Sequence, residues 1–402
     1  MKAVSPGRLA AIRALVQIER GRHAEEALAD ARLGDPGQRA LALYLCLGVL
    51  RRRGALDLTL TRYVRRGLDS LDPAVLATLR VGLYDAVHSR IAPEVAVDQA
   101  VEAARALGSP AGGLVNAVLR RAVAEGIADD PFLDLPPWLA ARWRDQGPWV
   151  ARLREPAPVC AVGRDPGWTP DPSLDAVPAT SAGEPVADAW VLRGLKGAVE
   201  RAAGFEQGQW WVMDPSAAKV ADLVLDALGE ARGARVLDAT AAPGGKALRL
   251  ASRGAEVLAV DSAPQRLDRV RENVARTGLK LEIRQHDWLR GPLPDAGLCD
   301  AVLVDAPCTG LGIIRRHPEI RWLRLPSDPA AMALRQRPLL LAASQHVAPG
   351  GALVYAVCSP MPEEGRGVVD SLAGWRVERT WTSFPPAGDE DAFQSFVLRR
   401  ER

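Results

Sequence analysis

Two cysteines follow short runs of β-forming residues, and a thiol is the side chain here most able to bond covalently to a substrate. Cys308 lies in DAPCTG (residues 305–310) and Cys358 lies in YAVCS (residues 355–359). A thiolate is a strong nucleophile once its pKa is lowered or a base assists it. A single such cysteine is more often a small buried hydrophobic residue. Two of them at equivalent strand ends, with Asp305 three residues before the first, favour covalent chemistry.

A loop of small residues precedes both cysteines and is suited to holding a ligand. The stretch ARVLDATAAPGGKALRL (residues 234–250) predicts a strand, a turn and a helix, with Gly244 and Gly245 in the turn. Small residues let a backbone approach a ligand, and a helix N-terminus offers unpaired N–H groups. Lys246 follows too closely for a P-loop, and the turn is not G-x-G-x-x-G. A nucleoside is therefore favoured over a dinucleotide or a triphosphate, with a plain strand–helix connection as the alternative.

Acidic residues close the later strands of the same region, at Asp261, Asp287 and Asp305. Ligands of doubly wound sheets bind in the crevice outside the carboxyl ends of the strands. An acid at the end of the second strand is well placed to accept two ribose hydroxyls. These carboxylates favour a ligand site over a plain connection.

A basic and aromatic segment follows the first cysteine. The sequence GIIRRHPEIRWLR (residues 312–324) contains arginines 315, 316, 321 and 324 together with His317 and Trp322. Arginine can bind phosphates and aromatic rings can stack on bases. The alternative is a solvated charged helix, but the position next to Cys308 favours contact with a substrate.

The elements that must position these residues differ along the chain. Apolar residues at spacings of three and four predict a bundle of about seven helices in residues 1–125. The predicted helices are Ser5–Glu19, His23–Leu33, Gln38–Arg52, Leu56–Arg66, Pro73–Ser89, Pro93–Leu107 and Gly113–Glu125. This third carries 18 lysines and arginines against 13 aspartates and glutamates, a net charge of +5, which is a weak indication of nucleic-acid binding.

The remaining chain predicts a small irregular α+β segment and then an α/β domain. Residues 126–205 are dense in proline and glycine. Beyond them, β-rich runs at 234–239, 256–261, 281–287, 300–306 and 351–357 alternate with helical stretches at 264–277 and 330–347. Such alternation predicts a mostly parallel sheet covered on both faces, with 375–383 and 393–400 as an edge hairpin. The predicted domains are 1–127, 128–205 and 206–402.

Composition limits the class of protein. The 402 residues are 48% hydrophobic and 25% charged, as in soluble globular proteins, and no stretch approaches the roughly 18 apolar residues of a membrane span. Arg8, Arg13 and Gln17 interrupt the N-terminal stretch, so no signal peptide is expected. The five scattered cysteines fit neither a disulfide framework nor a zinc site. We expect a cytoplasmic protein without a metal, and a monomer because no long apolar heptad seam appears.

The motifs together resemble those of the RsmB (Sun/Fmu) family of 16S rRNA cytosine-5 methyltransferases. The resemblance is carried by TAAPGGK (240–246), DAPCTG (305–310), IIRRHPEIRWLR (313–324) and YAVCSPMPEE (355–364). GLVNAVLRR (113–121) resembles the family's NusB-like RNA-binding domain, and GQWWVMDPSAAKVADLV (208–224) resembles the start of its catalytic domain. The resemblance implies a multidomain protein: an all-α NusB-like bundle, a small α+β segment and a Rossmann-like methyltransferase domain acting on small-subunit ribosomal RNA.

The resemblance also implies a role for each candidate residue. The cofactor S-adenosylmethionine would be held by Thr240, Ala241, Ala242, Pro243, Gly244, Gly245 and Lys246, with Asp261 on its ribose hydroxyls and Asp287 on its adenine. Cys358 would be the nucleophile and Cys308 would release the product. Asp305 would line the pocket and hydrogen-bond the target cytosine, with Lys246 near the reacting sulfonium. The RNA contacts would come from Arg315, Arg316, His317, Arg321 and Trp322.

Two alternatives stay open beside this activity. The same scaffold can methylate another RNA such as tRNA, although the helical domain and the RRHP segment favour ribosomal RNA. The second alternative is a catalytically decayed assembly factor. Val357 stands where relatives in the family commonly have a threonine before the nucleophile, and this difference favours the decayed assembly factor. The intact Cys308 and Cys358 favour an enzyme.

Overall fold

In a computed structural model, which describes residues 4–401, the chain forms two compact units. The first contains the chain up to residue 156 together with residues 314–324, and the second contains 157–313 and 325 onwards. The predicted boundaries at 127/128 and 205/206 differ from this division, because the helices of the middle segment pack with the first unit and its strands with the second. Residues 1–3 and 402 of the predicted domains lie outside the described residues.

The first unit is helical. Its helices are α1 (Pro6–Glu19), α2 (Ala24–Ala29), α3 (Pro36–Thr61), α4 (Pro73–His88), α5 (Pro93–Ala106), α6 (Gly112–Glu125), α7 (Pro137–Arg142), α8 (Gly147–Arg152) and, in the inserted segment, α12 (Ile320–Leu323). Asp35 and Asp72 cap α3 and α4, since their carboxylates accept backbone N–H bonds and a proline opens each helix. The apolar faces of α1 and α3–α6 meet in one buried cluster. The predicted helical bundle is confirmed.

The two helices predicted at Gln38–Arg52 and Leu56–Arg66 form one continuous helix, α3. Gly54 lies within it, where a β-carbon would overlap the backbone carbonyl of Leu133. The next residue, Ala55, donates its backbone N–H to Asp134 Oδ1 at 3.0 Å. The glycine therefore serves a close backbone crossing and does not mark a helix end.

The middle of the chain opens the second unit with a regular antiparallel sheet. Its strands are β1 (Val159–Gly163), β2 (Ala176–Ser181), β3 (Glu184–Leu192) and β4 (Trp210–Val212), in the order β2-β3-β1-β4. The following helix, α9 (Pro215–Leu228), contributes apolar residues to the same buried cluster as this sheet. The segment is therefore more regular than the irregular α+β element predicted for it.

A seven-stranded sheet forms the centre of the second unit. Its strands are β5 (Arg235–Asp238), β6 (Glu256–Asp261), β7 (Glu282–Gln285), β8 (Cys299–Asp305), β9 (Val347–Val357), β10 (Trp375–Thr382) and β11 (Gln394–Arg400), and the other helices are α10 (Gly245–Ser252), α11 (Pro264–Thr277), α13 (Asp328–Ser344) and α14 (Arg366–Val369). The spatial order is β10-β11-β9-β8-β5-β6-β7, and β5 to β9 run parallel. Strand β11 is antiparallel to β9 and to β10, which confirms the predicted edge hairpin.

Alternating residues of this sheet enter two separate cores, as expected for strands covered on both faces. Ala301 and Leu303 of β8 pack in one apolar cluster, while Val302 and Val304 pack in the other. The chain passes from β5 outward through β6 and β7 and then returns to β8 on the opposite side of β5. The carboxyl ends of β5 and β8 are therefore the switch point at which such sheets bind ligands.

Over residues 4–401, none of the helices combines the length and the apolar character that a membrane crossing demands.

Candidate active site

The two cysteines meet at the carboxyl edge of the seven-stranded sheet. Strands β8 and β9 are parallel neighbours in which Asp305 pairs with Ala356, so the loops that follow them start side by side. The sulfur atoms of Cys308 and Cys358 are 3.2 Å apart, and both residues are partly exposed. Both thiols are therefore close enough to contact one ring of a substrate. Cys46, Cys160 and Cys299 are buried, as expected for small hydrophobic residues.

The surroundings of Cys308 favour its protonated form. The hydrogen bond with Cys358 raises the pKa of the Cys308 thiol well above its ordinary value, and burial raises that pKa further. Cys308 therefore keeps its proton at neutral pH and can donate it to the Cys358 sulfur. A Cys308 that stays protonated leaves Cys358 as the thiol suited to act as the nucleophile.

Lys246 and Asp305 form an ion pair next to the thiols. Lys246 Nζ donates to Asp305 Oδ2 at 2.6 Å. Burial on its own lowers the pKa of Lys246, but the Asp305 carboxylate outweighs burial, and Asp238 and Cys358 act in the same direction, so the pKa is raised. The Thr240 hydroxyl donates to the backbone carbonyl of Asp305 at 2.8 Å and ties the small-residue turn to β8.

The turn after β5 has the backbone expected of a ligand cradle. Gly244 lies in the left-handed region at a φ of 110°, where a side chain would be strained. Helix α10 begins immediately afterwards, at Gly245. The backbone N–H of Ala242 donates to Asp261 Oδ2 at 3.3 Å, so the turn is tied to the end of β6 as well as to β8.

The acids at the strand ends occupy different environments. Asp261 is buried, accepts the Ala263 N–H at 3.1 Å and lies 3.2 Å from Arg266. Asp287 is more open and accepts the Leu289 N–H at 3.1 Å. A cavity of about 260 Å³ at this edge is lined by residues that include Ser262, Asp287, Leu289, Pro307, Met332 and Gln336. The cavity lining thus combines an acid, an arginine and other polar side chains with apolar ones.

Asp238, at the end of β5, was not among the predicted site residues. Burial raises the pKa of its carboxyl to about 7, against the opposing effect of Lys246. Its Oδ1 accepts the Thr240 N–H at 3.3 Å. The signal that identified the other acids, an aspartate closing a parallel strand, also applies to this residue.

A second missed residue, Glu364, connects the loops that carry the cysteines. It is fully buried, and its Oε1 accepts the backbone N–H of Thr309 at 2.7 Å. Its Oε2 accepts the hydroxyls of Thr309 and Ser359, each at 2.5 Å. Burial raises the pKa of Glu364, although these hydrogen bonds oppose the rise. Its sequence context, an acid six residues after Cys358, carries no clear functional signal.

Two of the five predicted RNA contacts, Arg315 and Arg321, are buried within the protein, and a third, Trp322, is partly exposed. Arg321 is 1% exposed, and its guanidinium donates to the carbonyls of Asp134 and Leu153 at 3.1 and 3.0 Å. The Trp322 indole N–H donates to the Leu50 carbonyl at 2.8 Å. Arg315 is 8% exposed and donates to the Pro156 carbonyl at 3.2 Å.

These contacts correct the prediction for Arg315 and Arg321, because buried side chains bonded to protein carbonyls do not reach a phosphate or a base. They anchor residues 314–324 within the first unit. Arg316 and His317 are partly exposed on the same segment. For Arg316, His317 and Trp322 an RNA contact stays a prediction.

The comparisons with known proteins agree with this architecture. Residues 225–386 match the family model for the 16S rRNA methyltransferases RsmB/F, and residues 5–124 match the NusB family. The chain is 36% identical to ribosomal RNA small subunit methyltransferase B of Xanthomonas campestris over 91% of this chain and 87% of the relative. It is 35% identical to the protein of that name from Citrobacter koseri over 81% and 80%.

Solved structures show the same fold. The crystal structure of PH0851 covers 100% of both chains with a TM-score of 0.77 at 21% identity. A methyltransferase homologue from Pyrococcus horikoshii gives a TM-score of 0.53 at 20% identity, over 66% of this chain and 95% of its own. Since the relatives above exceed 30% identity over most of the chain, this protein belongs to the RsmB/F family of 16S rRNA methyltransferases and carries a NusB-family domain.

Proposed function

We propose that this protein is an S-adenosylmethionine-dependent RNA cytosine-5 methyltransferase that modifies a cytidine of 16S ribosomal RNA through a covalent bond from Cys358 to C6. The observation that carries the proposal is the pair of thiols 3.2 Å apart at the switch-point edge of the sheet. Methylation at C5 through such a bond requires one group that adds to the ring and a second that removes a proton. Family membership supports methyl transfer to small-subunit RNA.

The residues of the turn fit S-adenosylmethionine. Gly244 leaves the backbone open to close approach, and the crevice lies where doubly wound sheets bind nucleosides. We propose that residues 240–246 hold the cofactor, that Asp261 accepts its ribose hydroxyls and that Asp287 accepts its adenine amino group. When bound, the cofactor supplies an electrophilic methyl group for C5.

The residues of the chain prepare the base and later release it. The Cys358 thiolate forms a bond to C6 of cytosine, and the electron pair of the C5–C6 double bond moves towards C5 and N3. Asp305, held by Lys246, accepts a hydrogen bond from the exocyclic amino group of the base. The positive charge of Lys246 stabilises the negative charge that develops at the N3 edge. After C5 is alkylated, the Cys308 thiol gives its own proton to solvent, and the resulting thiolate takes the C5 proton. The electron pair of the C5–H bond re-forms the C5–C6 double bond, and Cys358 leaves as a thiolate.

The target base must leave its stack to reach this edge, so we propose an unpaired or flipped cytidine in exposed RNA. The NusB-family domain, Arg316 and His317 would supply phosphate contacts that do not depend on sequence. One chain contains both thiols and the turn, so we propose that it acts as a monomer.

The surroundings of Val357 favour an enzyme over a decayed assembly factor. This side chain is 0% exposed and packs with Tyr355 in one of the apolar cores of the sheet. Valine at this position therefore fills the core, and it removes no hydroxyl from the surface that the thiols share.

The direct test is methyl incorporation by the purified protein, supplied with labelled S-adenosylmethionine and unmodified small-subunit RNA. We expect label in one cytidine, which bisulfite sequencing then identifies as 5-methylcytosine. Unmodified tRNA in a parallel reaction tests the other substrate class. Label at a different atom of the base would contradict the covalent cysteine mechanism, and binding of the RNA without any label would support the assembly factor.

A further inference from the structure

Glu364 joins the two loops on which the reacting thiols are placed. Thr309 directly follows Cys308, and Ser359 directly follows Cys358. The Glu364 carboxylate accepts hydrogen bonds from the hydroxyls of Thr309 and Ser359, each at 2.5 Å, and from the Thr309 backbone N–H at 2.7 Å. The two hydroxyls are themselves 3.2 Å apart, the same distance as the two sulfur atoms.

Helix α13 completes this buried network. Gln336 Nε2 donates to Glu364 Oε1 at 3.3 Å and to the carbonyl of Pro307, the residue before Cys308, at 2.8 Å. The carboxylate therefore receives bonds from three other residues. A buried acceptor with this many donors is expensive to remove, because each donor would be left unsatisfied.

Glu364 has no access to a substrate, since it is 0% exposed. Any effect on chemistry must pass through the loops that it holds. A shift of about 1 Å between reacting groups can cost roughly 100-fold in rate, so a link that fixes two loops against each other is significant at a site where both thiols act on one ring.

We propose that Glu364 is a positioning residue that keeps the sulfur atoms of Cys308 and Cys358 at contact distance by holding Thr309 and Ser359 together. The inference rests on the proposed function, because that function requires both thiols on one base. It assigns the role to the second acid of the Pro-Glu-Glu sequence and not to the first, Glu363.

The activity test compares Glu364→Ala and Glu364→Asp with the matched control Glu363→Ala in the full chain. We expect Glu364→Ala to lower kcat about 100-fold while KM for RNA stays within about twofold. Aspartate keeps the charge but is one methylene shorter, so it should restore part of the rate. Glu363→Ala should behave like the unmodified protein.

A second measurement reports thiol distance without any methyl transfer. Dibromobimane joins two nearby thiols: each sulfur displaces one bromide, two C–S bonds replace two C–Br bonds, and two bromide ions and two protons are released. The doubly alkylated product is fluorescent, and peptide mapping identifies the cross-link between residues 308 and 358. We expect cross-linking to be at least 10-fold slower than in the unmodified protein for Glu364→Ala and unchanged for Glu363→Ala.

The two measurements separate the two proposals. Loss of fast cross-linking in Glu364→Ala supports positioning even if no protein methylates RNA, in which case only the proposed function fails. Cross-linking and methylation both within twofold of the unmodified protein would overturn the positioning role. If Glu364→Ala does not fold, Glu364→Asp and Ser359→Ala serve as the test variants, since each weakens the link between the loops without removing a buried charge from its partners. Cross-linking at the unmodified rate in both variants would also overturn the positioning role.

Discussion

Cys308 and Cys358 have the same functional group but different surroundings, and their roles follow from that difference. Cys308 binds its proton tightly because it is hydrogen-bonded to Cys358 and partly buried. A sulfur that binds a proton tightly is a suitable acceptor for the C5 proton once it is ionised. Cys358 interacts electrostatically with Lys246, and it is a partner of the Cys308 thiol.

The first prediction exchanges each thiol for a hydroxyl. Cys358→Ser should lose methylation by at least about 1,000-fold and form no adduct, because a serine hydroxyl is a far weaker nucleophile. Cys308→Ser should form the adduct but release it slowly, so a protein–RNA species should accumulate on a denaturing gel. The opposite pattern, with the adduct in Cys358→Ser, would reverse the assigned roles.

The second prediction concerns stability and pH. The folded state raises the pKa of Asp238 to about 7, above the ordinary value of 3.8, so it binds the proton more tightly than the unfolded chain does. The resulting stability is present below about pH 4 and is lost as pH rises through 7. Asp238→Asn carries no charge and should remove this loss, on the order of 3 kcal/mol.

Melting temperatures without cofactor, measured at pH 5 and pH 8, test this expectation. From pH 5 to pH 8, the melting temperature of the unmodified protein should fall further than that of Asp238→Asn. Asp268→Asn is a suitable control because that carboxylate is exposed and pairs with Arg271 on the same helix. Equal decreases in melting temperature for all three proteins would show that Asp238 does not titrate between pH 5 and pH 8.

At the scale of elements, regular periodicity identified most helices and strands, while close backbone approaches escaped prediction. Helix α11 occupies Pro264–Thr277, the range predicted for it, and β6 occupies 256–261 as predicted. Helix α3 is longer than predicted because Gly54 is a packing residue. A glycine inside a helical pattern can mark either the end of a helix or a close packing contact within one. The sequence of the helix alone does not distinguish these two cases.

The third prediction follows from that position. Gly54→Ala should destabilise the first unit by about 2–4 kcal/mol, because the new methyl group overlaps the Leu133 carbonyl. Gly113→Ala, in α6, places its methyl in open space and should be neutral or stabilising by up to about 1 kcal/mol. Thermal denaturation followed by circular dichroism measures both. A neutral Gly54→Ala would mean that the crossing backbone can move away.

At the scale of the whole molecule, the division into units does not follow the order of the sequence. Residues 314–324 follow the Cys308 loop in the chain, yet they pack within the helical unit through Arg321 and Trp322. A cluster of arginines in sequence suggested one RNA-binding surface. Burial separates the anchoring side chains of that cluster from the partly exposed Arg316 and His317.

The fourth prediction tests the exposed members. The double variant Arg316→Ala with His317→Ala should weaken RNA binding by about 10-fold or less, and should lower the slope of log affinity against log salt by about 1. Arg376→Ala, an exposed arginine on β10, is the matched control for loss of a charge. An unchanged salt slope in the double variant would place the phosphate contacts elsewhere.

The sequence by itself determined the helical unit, the parallel sheet and the strand ends at which Cys308, Cys358 and three acids lie, because hydrophobic periodicity and the succession of strands and helices along the chain are local properties. The family resemblance added the roles of those residues. Only the tertiary structure decided that Arg321 is an anchor, that Asp238 is buried with a raised pKa and that Glu364 joins the two cysteine loops. These properties depend on what surrounds a side chain, and its neighbours come from segments far away in the chain, so no local pattern records them.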